Sequence, residues 1–304
     1  MMTTDVPEKT SVYIQPESLI PNFQAMGSSL AVTTSRFELK TPTELKDMSW
    51  NHMDQLHRNH IHHTYQDSVR LVRERSFALS LTRVGPLKLL TLVVDIHLRP
   101  GLFYQSYTLF NLFYVHLVIE VHPDAQGSRV TIDHYIVSRR LFKFFHPWLH
   151  RRLLRLNEVQ NKQDGPLREQ RILLREKGYR FKTDEPDFLN CNTLTPNVIA
   201  PRLDGVHRIS LKEISNTGLE KISAGPIDLL VRKNADQSFT LWTAACPHEG
   251  GPLALGKVCN GSIICSWHGL RQSGIELNPG HPQALLDNLK LNLEGNDLIV
   301  RQHG

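Results

Sequence analysis

Cysteine is scarce in this chain. There are four in 304 residues, Cys191, Cys246, Cys259 and Cys265, too few and too unevenly spaced for a disulfide framework, and they fit a reducing compartment. No apolar run approaches the ~20 residues of a membrane span, and the opening Met-Met-Thr-Thr-Asp-Val-Pro-Glu-Lys lacks the basic-then-apolar pattern of a leader. A soluble, cytoplasmic protein with no membrane partner is expected. Internal repeats, low-complexity tracts and nucleic-acid motifs are also missing. The net charge is +5, yet residues 202–304 carry ten cations and ten anions, so the whole excess precedes them. Much of it is Arg139, Arg140, Lys143, Arg151, Arg152 and Arg155. This run reads as a solvated helix face, not a nucleic-acid footprint.

What the sequence does contain is a paired set of thiols and imidazoles. Cys246-Pro247-His248-Glu249-Gly250-Gly251 is followed by Cys265-Ser266-Trp267-His268-Gly269. Each segment offers one Cys and one His. Zinc accepts two sulfurs and two nitrogens, but a Rieske centre needs two thiolates on one iron and two imidazoles on the other. The run from Cys246 to Leu253, followed by Cys-Ser-Trp-His-Gly, resembles the Rieske signature. The resemblance implies a [2Fe–2S] cluster held by Cys246, His248, Cys265 and His268. High-potential members add a bridging cysteine to each loop and Ser and Tyr donors after the second. Gly251, Trp267, Leu270 and Gln272 occupy those positions here. Fewer donors to the sulfurs imply a lower potential, of the oxygenase or ferredoxin kind.

At this length two domains with sizeable cores are expected. Strand formers fill Phe77 to Thr82, Leu87 to Leu98, Phe113 to His122 and Arg129 to Val137. Helical periodicity follows, with a stop expected near Asp164-Gly165-Pro166 and a second helix from about Pro166 to Lys177, capped by Gly178. A sheet closed by a helix is a helix-grip arrangement, which leaves a cavity for a small molecule. Further on, Ile227 to Lys233 pairs with Ser238 to Thr243, and Leu289 to Leu293 with Leu298 to Arg301, as hairpins. The expected fold is α+β. A helix-grip, START-like catalytic domain covers residues 1–196, a linker 197–205, and an all-β Rieske [2Fe–2S] domain 206–304.

Five histidines fall within residues 52–63. Histidine is the commonest transition-metal ligand, and a carboxylate completes the facial triad of non-haem iron oxygenases. The order Asn51-x2-Asp54-x2-His57-x4-His62 resembles the motif of Rieske non-haem iron oxygenases. That resemblance implies mononuclear Fe(II) on His57 and His62, with Asp54 bridging a Rieske histidine to the iron site across a subunit boundary and Asn51 supporting it. His60 and His63 could replace His62. The third ligand is expected at Asp164, at the start of the last helix, although Asp before Gly-Pro is equally a good N-cap. Glu158 and Glu169 are the fallbacks. The domain order is reversed from the family's usual one.

The resemblance further implies a terminal oxygenase. It would take electrons from an NAD(P)H-dependent reductase or a ferredoxin, use O2 to hydroxylate, demethylate or desaturate a small apolar or aromatic substrate, and form a homotrimer. Phe103, Tyr104, Tyr107, Phe110, Phe113 and Tyr114 are candidate pocket residues or core packing. The rival is a Rieske electron carrier or redox sensor fused to an iron-free ligand-binding module.

Overall fold

A computed structural model describes residues 19–54, 56–62, 66–73, 77–84, 89–184, 196–215, 218–278, 283–285 and 289–302. Cys191 and His63 lie outside them. In chain order the first part contains α1 (Phe23–Met26), β1 (Ala31–Thr41), α2 (Leu45–Met53), α3 (Arg58–Ile61), β2 (Gln66–Arg73), β3 (Phe77–Val84), β4 (Leu89–Arg99), β5 (Leu102–Leu109), β6 (Phe113–Asp124), β7 (Gly127–Ser138) and α4 (His146–Glu176). The strands form one antiparallel sheet in the order β1-β7-β6-β5-β4-β3-β2. Consecutive strands from β2 to β7 are neighbours, and β1 returns to the edge by pairing with β7 from Ala31↔Ser138 to Thr41↔Ser128. The turn from β6 to β7 needs Gly127, at φ +134, because a Cβ there would overlap the Thr41 carbonyl oxygen.

Alternation decides which face of the sheet is buried. Val115, Leu117, Ile119 and Val121 on β6 and Val130, Ile132 and Ile136 on β7 point to one side, where Leu149 and Leu153 of α4 pack on them. Successive side chains of a strand face opposite ways, so each strand gives this core every second residue. The result is a long helix packed on one face of the sheet.

The expected break at Asp164-Gly165-Pro166 does not occur. α4 is a single helix of 31 residues with Pro166 inside it. Proline removes one backbone bond and crowds the carbonyl four residues back. Here the turns beyond it are held by burial of Leu167, Arg171 and Leu174. Asp164 is therefore no N-cap and does not begin a helix; it projects from the middle of one. Gly178, at φ +85, does follow the helix end. The cationic residues between Arg139 and Arg155 are exposed, as expected of a solvated face.

The C-terminal part is all β. Two four-stranded sheets enclose a core that includes Leu229, Leu241, Leu291 and Leu298. Both expected hairpins form, Ile227–Lys233 with Phe239–Thr243 and Leu289–Glu294 with Asp297–Gln302. A three-stranded sheet, Lys257–Cys259, Ser262–Ile264 and Arg271–Ser273, flanks them. The segment expected as a linker is packed at its start. Strand β8 (Arg180–Phe181) pairs with β9 (Val198–Ile199), and the buried Asn197 donates its backbone N–H to the Pro247 carbonyl at 2.9 Å.

The two parts share a core. Trp50 of α2 and Leu167 of α4 pack with Trp242, Leu253, Ile263 and Trp267. Beside it Arg171, fully buried, donates Nε–H to Asp47 Oδ1 at 2.9 Å and Nη1–H to Glu249 Oε2 at 3.0 Å. Its guanidinium lies between the Trp50 and Phe181 rings, 4.2 and 3.6 Å from their centroids. Replacing Arg171 by Leu is expected to cost about 3–5 kcal/mol, because Asp47 and Glu249 lose a buried counter-charge. Thermal unfolding of cluster-loaded protein measures this, and a melting point equal to wild type would show that Arg171 does not hold the parts together.

Candidate redox and metal site

Two loops of the C-terminal part are built alike. In the first, Cys246 N–H bonds the Gly251 carbonyl and Gly250 N–H bonds the Cys246 carbonyl, both at 2.8 Å. In the second, Cys265 N–H bonds the Leu270 carbonyl and Gly269 N–H the Cys265 carbonyl, both at 2.9 Å. Each turn thus closes on the glycine four residues after its cysteine, at φ +85 for Gly250 and +66 for Gly269. That left-handed geometry favours glycine. The turns bring His248 Nδ1 within 3.1 Å of His268 Nδ1. The buried Cys246 and Cys265 sulfurs are hydrogen-bonded to each other, which pushes one thiol up and holds the other down. A Cβ on Gly251 would come within 2.9 Å of Cys265 Sγ. Two sulfurs and two Nδ1 atoms facing one small space fit a [2Fe–2S] group with mixed ligands.

His268 also faces outward, toward the helix-grip part. Its Nε2 lies 2.6 Å from Asp54 Oδ2, and that same oxygen is 3.4 Å from His57 Nδ1. Asp54 caps the C-terminus of α2, and His57 and His62 stand at the two ends of the short α3. Asp164 Oδ1 is 3.4 Å from His57 Nε2 and 3.1 Å from His62 Nε2. His62 is oriented from behind, its Nδ1 2.7 Å from Gln163 Oε1. Cis donors held about 2.1 Å from one octahedral ion sit about 3.0 Å apart, so these separations suit a shared cation. One ligand atom from each of His57, His62 and Asp164 lies within 4.8 Å of the others. Two imidazoles and a carboxylate are the facial donor set of non-haem iron.

Electrostatics agrees with the donor geometry. Burial opposes charge on His57, yet hydrogen bonds to Asp164 and Asp54 outweigh it and raise its pKa to about 9. Burial would also raise the Asp54 and Asp164 carboxyls, but the imidazoles around them hold both well below the usual range. Positive charge is stabilised here, whether a proton or a metal ion brings it.

His60 is turned away from this site, and a Cβ on Gly269 would overlap its ring. Glu158 and Glu169, the fallback carboxylates, are exposed. Asn51 lies on α2 one turn before Asp54 and lines a cavity of about 110 Å³ that reaches His57, His62 and Asp164. The sheet side of the cavity is Phe37, Leu39, Leu117, Ile119, Val130 and Ile132, and α4 adds Asn157, Gln160, Asn161 and Arg168. The aromatic residues proposed for this role do not line it. Phe103, Tyr104 and Phe113 are buried in the cores, while Phe110 and Tyr114 are exposed. The sequence reading also missed Arg168, Arg171 and Asp47, whose partners are remote in sequence. Gln163 was in view beside Asp164, without its bond to His62.

The His268–Asp54 contact closes within one chain. The homotrimer implied by the resemblance rests on such a contact made between subunits. Among the described residues no helix is long and apolar enough to cross a membrane.

Residues 207–279 match the Rieske [2Fe-2S] domain family. No curated protein matches the chain. Among solved structures, the di-domain ARO/CYC StfQ from the steffimycin biosynthetic pathway is 13% identical, with 49% of this chain and 54% of that chain covered and a TM-score of 0.41. The chain thus spans about half the length of that protein. Norcoclaurine synthase from Thalictrum flavum is 12% identical over 40% of this chain and 80% of that one, TM-score 0.34. Dicamba monooxygenase bound to 3,6 dichlorosalicylic acid is 10% identical over 57% and 60%, TM-score 0.38.

Proposed function

From a Rieske [2Fe-2S] domain docked on a helix-grip domain, we propose that the protein is the terminal oxygenase of a multicomponent Rieske system. It would draw electrons from an NAD(P)H-dependent reductase or a ferredoxin and oxidise a small organic substrate with O2. The division is a helix-grip unit ending near residue 196 and a Rieske unit from about 206. The observation that carries this reading is Asp54, whose one oxygen meets His268 at 2.6 Å and His57 at 3.4 Å. An electron carrier has no need to place a cluster histidine one carboxylate away from a two-histidine, one-carboxylate set.

When bound, the cluster supplies single electrons and a ferrous ion on His57, His62 and Asp164 supplies the place where O2 is reduced. The chain supplies the positioning. Asp54 fixes both imidazoles in the tautomer that donates to it, as carboxylates behind metal-bound histidines do. Gln163 does the same for His62. The apolar sheet face lines one side of the cavity, and Asn51 lines it from α2, one turn before Asp54. Arg171 holds α2, α4 and the first Rieske loop together, so the Asp54 contact is made by packed elements and not by a loose loop.

Single turnover tests the reading. Protein reduced at its cluster is mixed with ¹⁸O2 and a panel of small aromatic and alicyclic compounds. Label in a product, formed as the cluster is oxidised, is the expected outcome. Cluster oxidation at one rate whatever compound is present, with no labelled product, selects the carrier or sensor reading.

A further inference from the structure

Two cations reach the cavity wall, and among the described residues only one is in an ion pair. Arg58 pairs with Asp95, Nη2 to Oδ1 at 3.3 Å. Arg168 is 4% exposed and, among the described residues, has no carboxylate within ion-pair distance. Its Nη2 donates to Asn161 Oδ1 at 2.5 Å and to the Asn161 carbonyl at 3.2 Å, and its Nη1 meets Met48 Sδ at 3.2 Å. The buried Nε–H has no hydrogen-bond partner among the described residues. A guanidinium stays charged in proteins, and its planar fork suits carboxylates. Asp164, Glu169 and Asp47 act on it only from beyond ion-pair distance, and a buried guanidinium without a close counter-charge is unfavourable unless something anionic joins it. The same cavity also holds His57, His62 and Asp164; its sheet side is apolar, from Phe37 to Ile132, while α2 and α4 add Asn51, Asn157, Gln160 and Asn161.

We propose that Arg168 is the anchor for a substrate carboxylate, so that the cavity takes small acids with an apolar body. The inference rests on the oxygenase reading for the word substrate, but the binding site stands on geometry alone. Asn161 and Met48 fix the guanidinium, and the remaining Nε–H would donate to the carboxylate of the acid. Phe37, Leu117 and Ile132 would cover the apolar body. Arg168 lies one helical turn after Asp164 on α4, so an anchored acid is presented beside the carboxylate of the metal set. His52, kept neutral by burial with a pKa of about 4, adds no competing charge.

Calorimetric titration of the cluster-loaded, full-length protein with benzoate and with its neutral isostere benzamide, without O2 or reductant, tests this. Benzoate is expected to bind about tenfold or more tightly than benzamide, the worth of one charge-assisted hydrogen bond. Arg168→Gln should erase that preference and leave benzamide within about twofold. Equal affinity for the two ligands in wild type overturns the proposal, even if the variant does not fold. So does a benzoate preference that persists in Arg168→Gln and disappears in His57→Ala/His62→Ala, which would put the acid on the imidazoles. A benzoate preference without oxygenation of any acid keeps the site and removes the oxygenase reading. Oxygenation of neutral compounds with no such preference does the reverse.

Discussion

Replacing His57 and His62 together by Ala is expected to cost reconstituted protein one iron per chain while its acid-labile sulfide and cluster absorption stay at the wild-type level. The two imidazoles supply two of three donors facing one point, and Asp164 alone is a weak and unselective holder for a divalent ion. The cluster ligands are on separate turns, each closed by its own backbone bonds, so they do not depend on α3. Turnover should fall below detection with the iron. Asp164→Asn should give the same iron deficit, since Asp164 Oδ1 faces both histidines. Iron and sulfide analysis of the variants beside wild type decides it. Equal iron in all three proteins would mean that His57, His62 and Asp164 hold no metal.

The second large effect concerns Asp54. A carboxylate can accept N–H donors from both sides, whereas Asn has one acceptor and one donor end. Both imidazoles meet the same oxygen, Oδ2, while Oδ1 accepts the Leu56 N–H at 3.2 Å. In Asp54→Asn the NH2 group therefore faces either both imidazoles or the Leu56 N–H, and the negative charge is lost in both cases. Iron and sulfide content are expected to match wild type, while substrate-dependent oxidation of the reduced cluster slows by about 10–100-fold, the usual effect of losing a partner behind a metal ligand. Because the contact closes within one chain, mixing Asp54→Asn with Cys265→Ser should restore nothing. Recovery in the mixture to near half the wild-type rate would place the working contact between chains, as a ring would require.

Much of this was legible in the sequence for a local reason. The Rieske turns are short, and their glycines follow the cysteines at equal spacing, so residue type and conformation agree within five residues. The C-terminal hairpins are local too. In the N-terminal part, β6 and β7 were read from their run of β-branched residues. β1 was missed because seven of its eleven residues are not Val, Leu, Ala or Phe and its partner, β7, lies about a hundred residues away. Gly165-Pro166 reads as a helix stop in isolation, and it is overruled by Leu167, Arg171 and Leu174 burying against elements that local propensity does not see. Arg171 shows the same limit. Its partners Asp47 and Glu249 are 124 and 78 residues away, and nothing near Arg171 names either. Strands β5 and β6 do line the cavity, through Gln105, Leu117 and Ile119, but their aromatic rings take the alternative of core packing or lie on the surface, because aromatic density signals burial in general.

The reversed order of the two parts sets a sequence in time. Domains emerge from the ribosome N-terminal end first and tend to fold as units. His57, His62 and Asp164 are all synthesised before Cys246, so the three can face one another while the cluster loops do not yet exist. The Asp54–His268 bond spans 214 residues and must wait for almost the whole chain. Asp54 therefore has His57 beside it but not His268 until the Rieske part is built and docked, and a nascent chain that had taken up iron on the three residues would not yet be connected to a source of electrons.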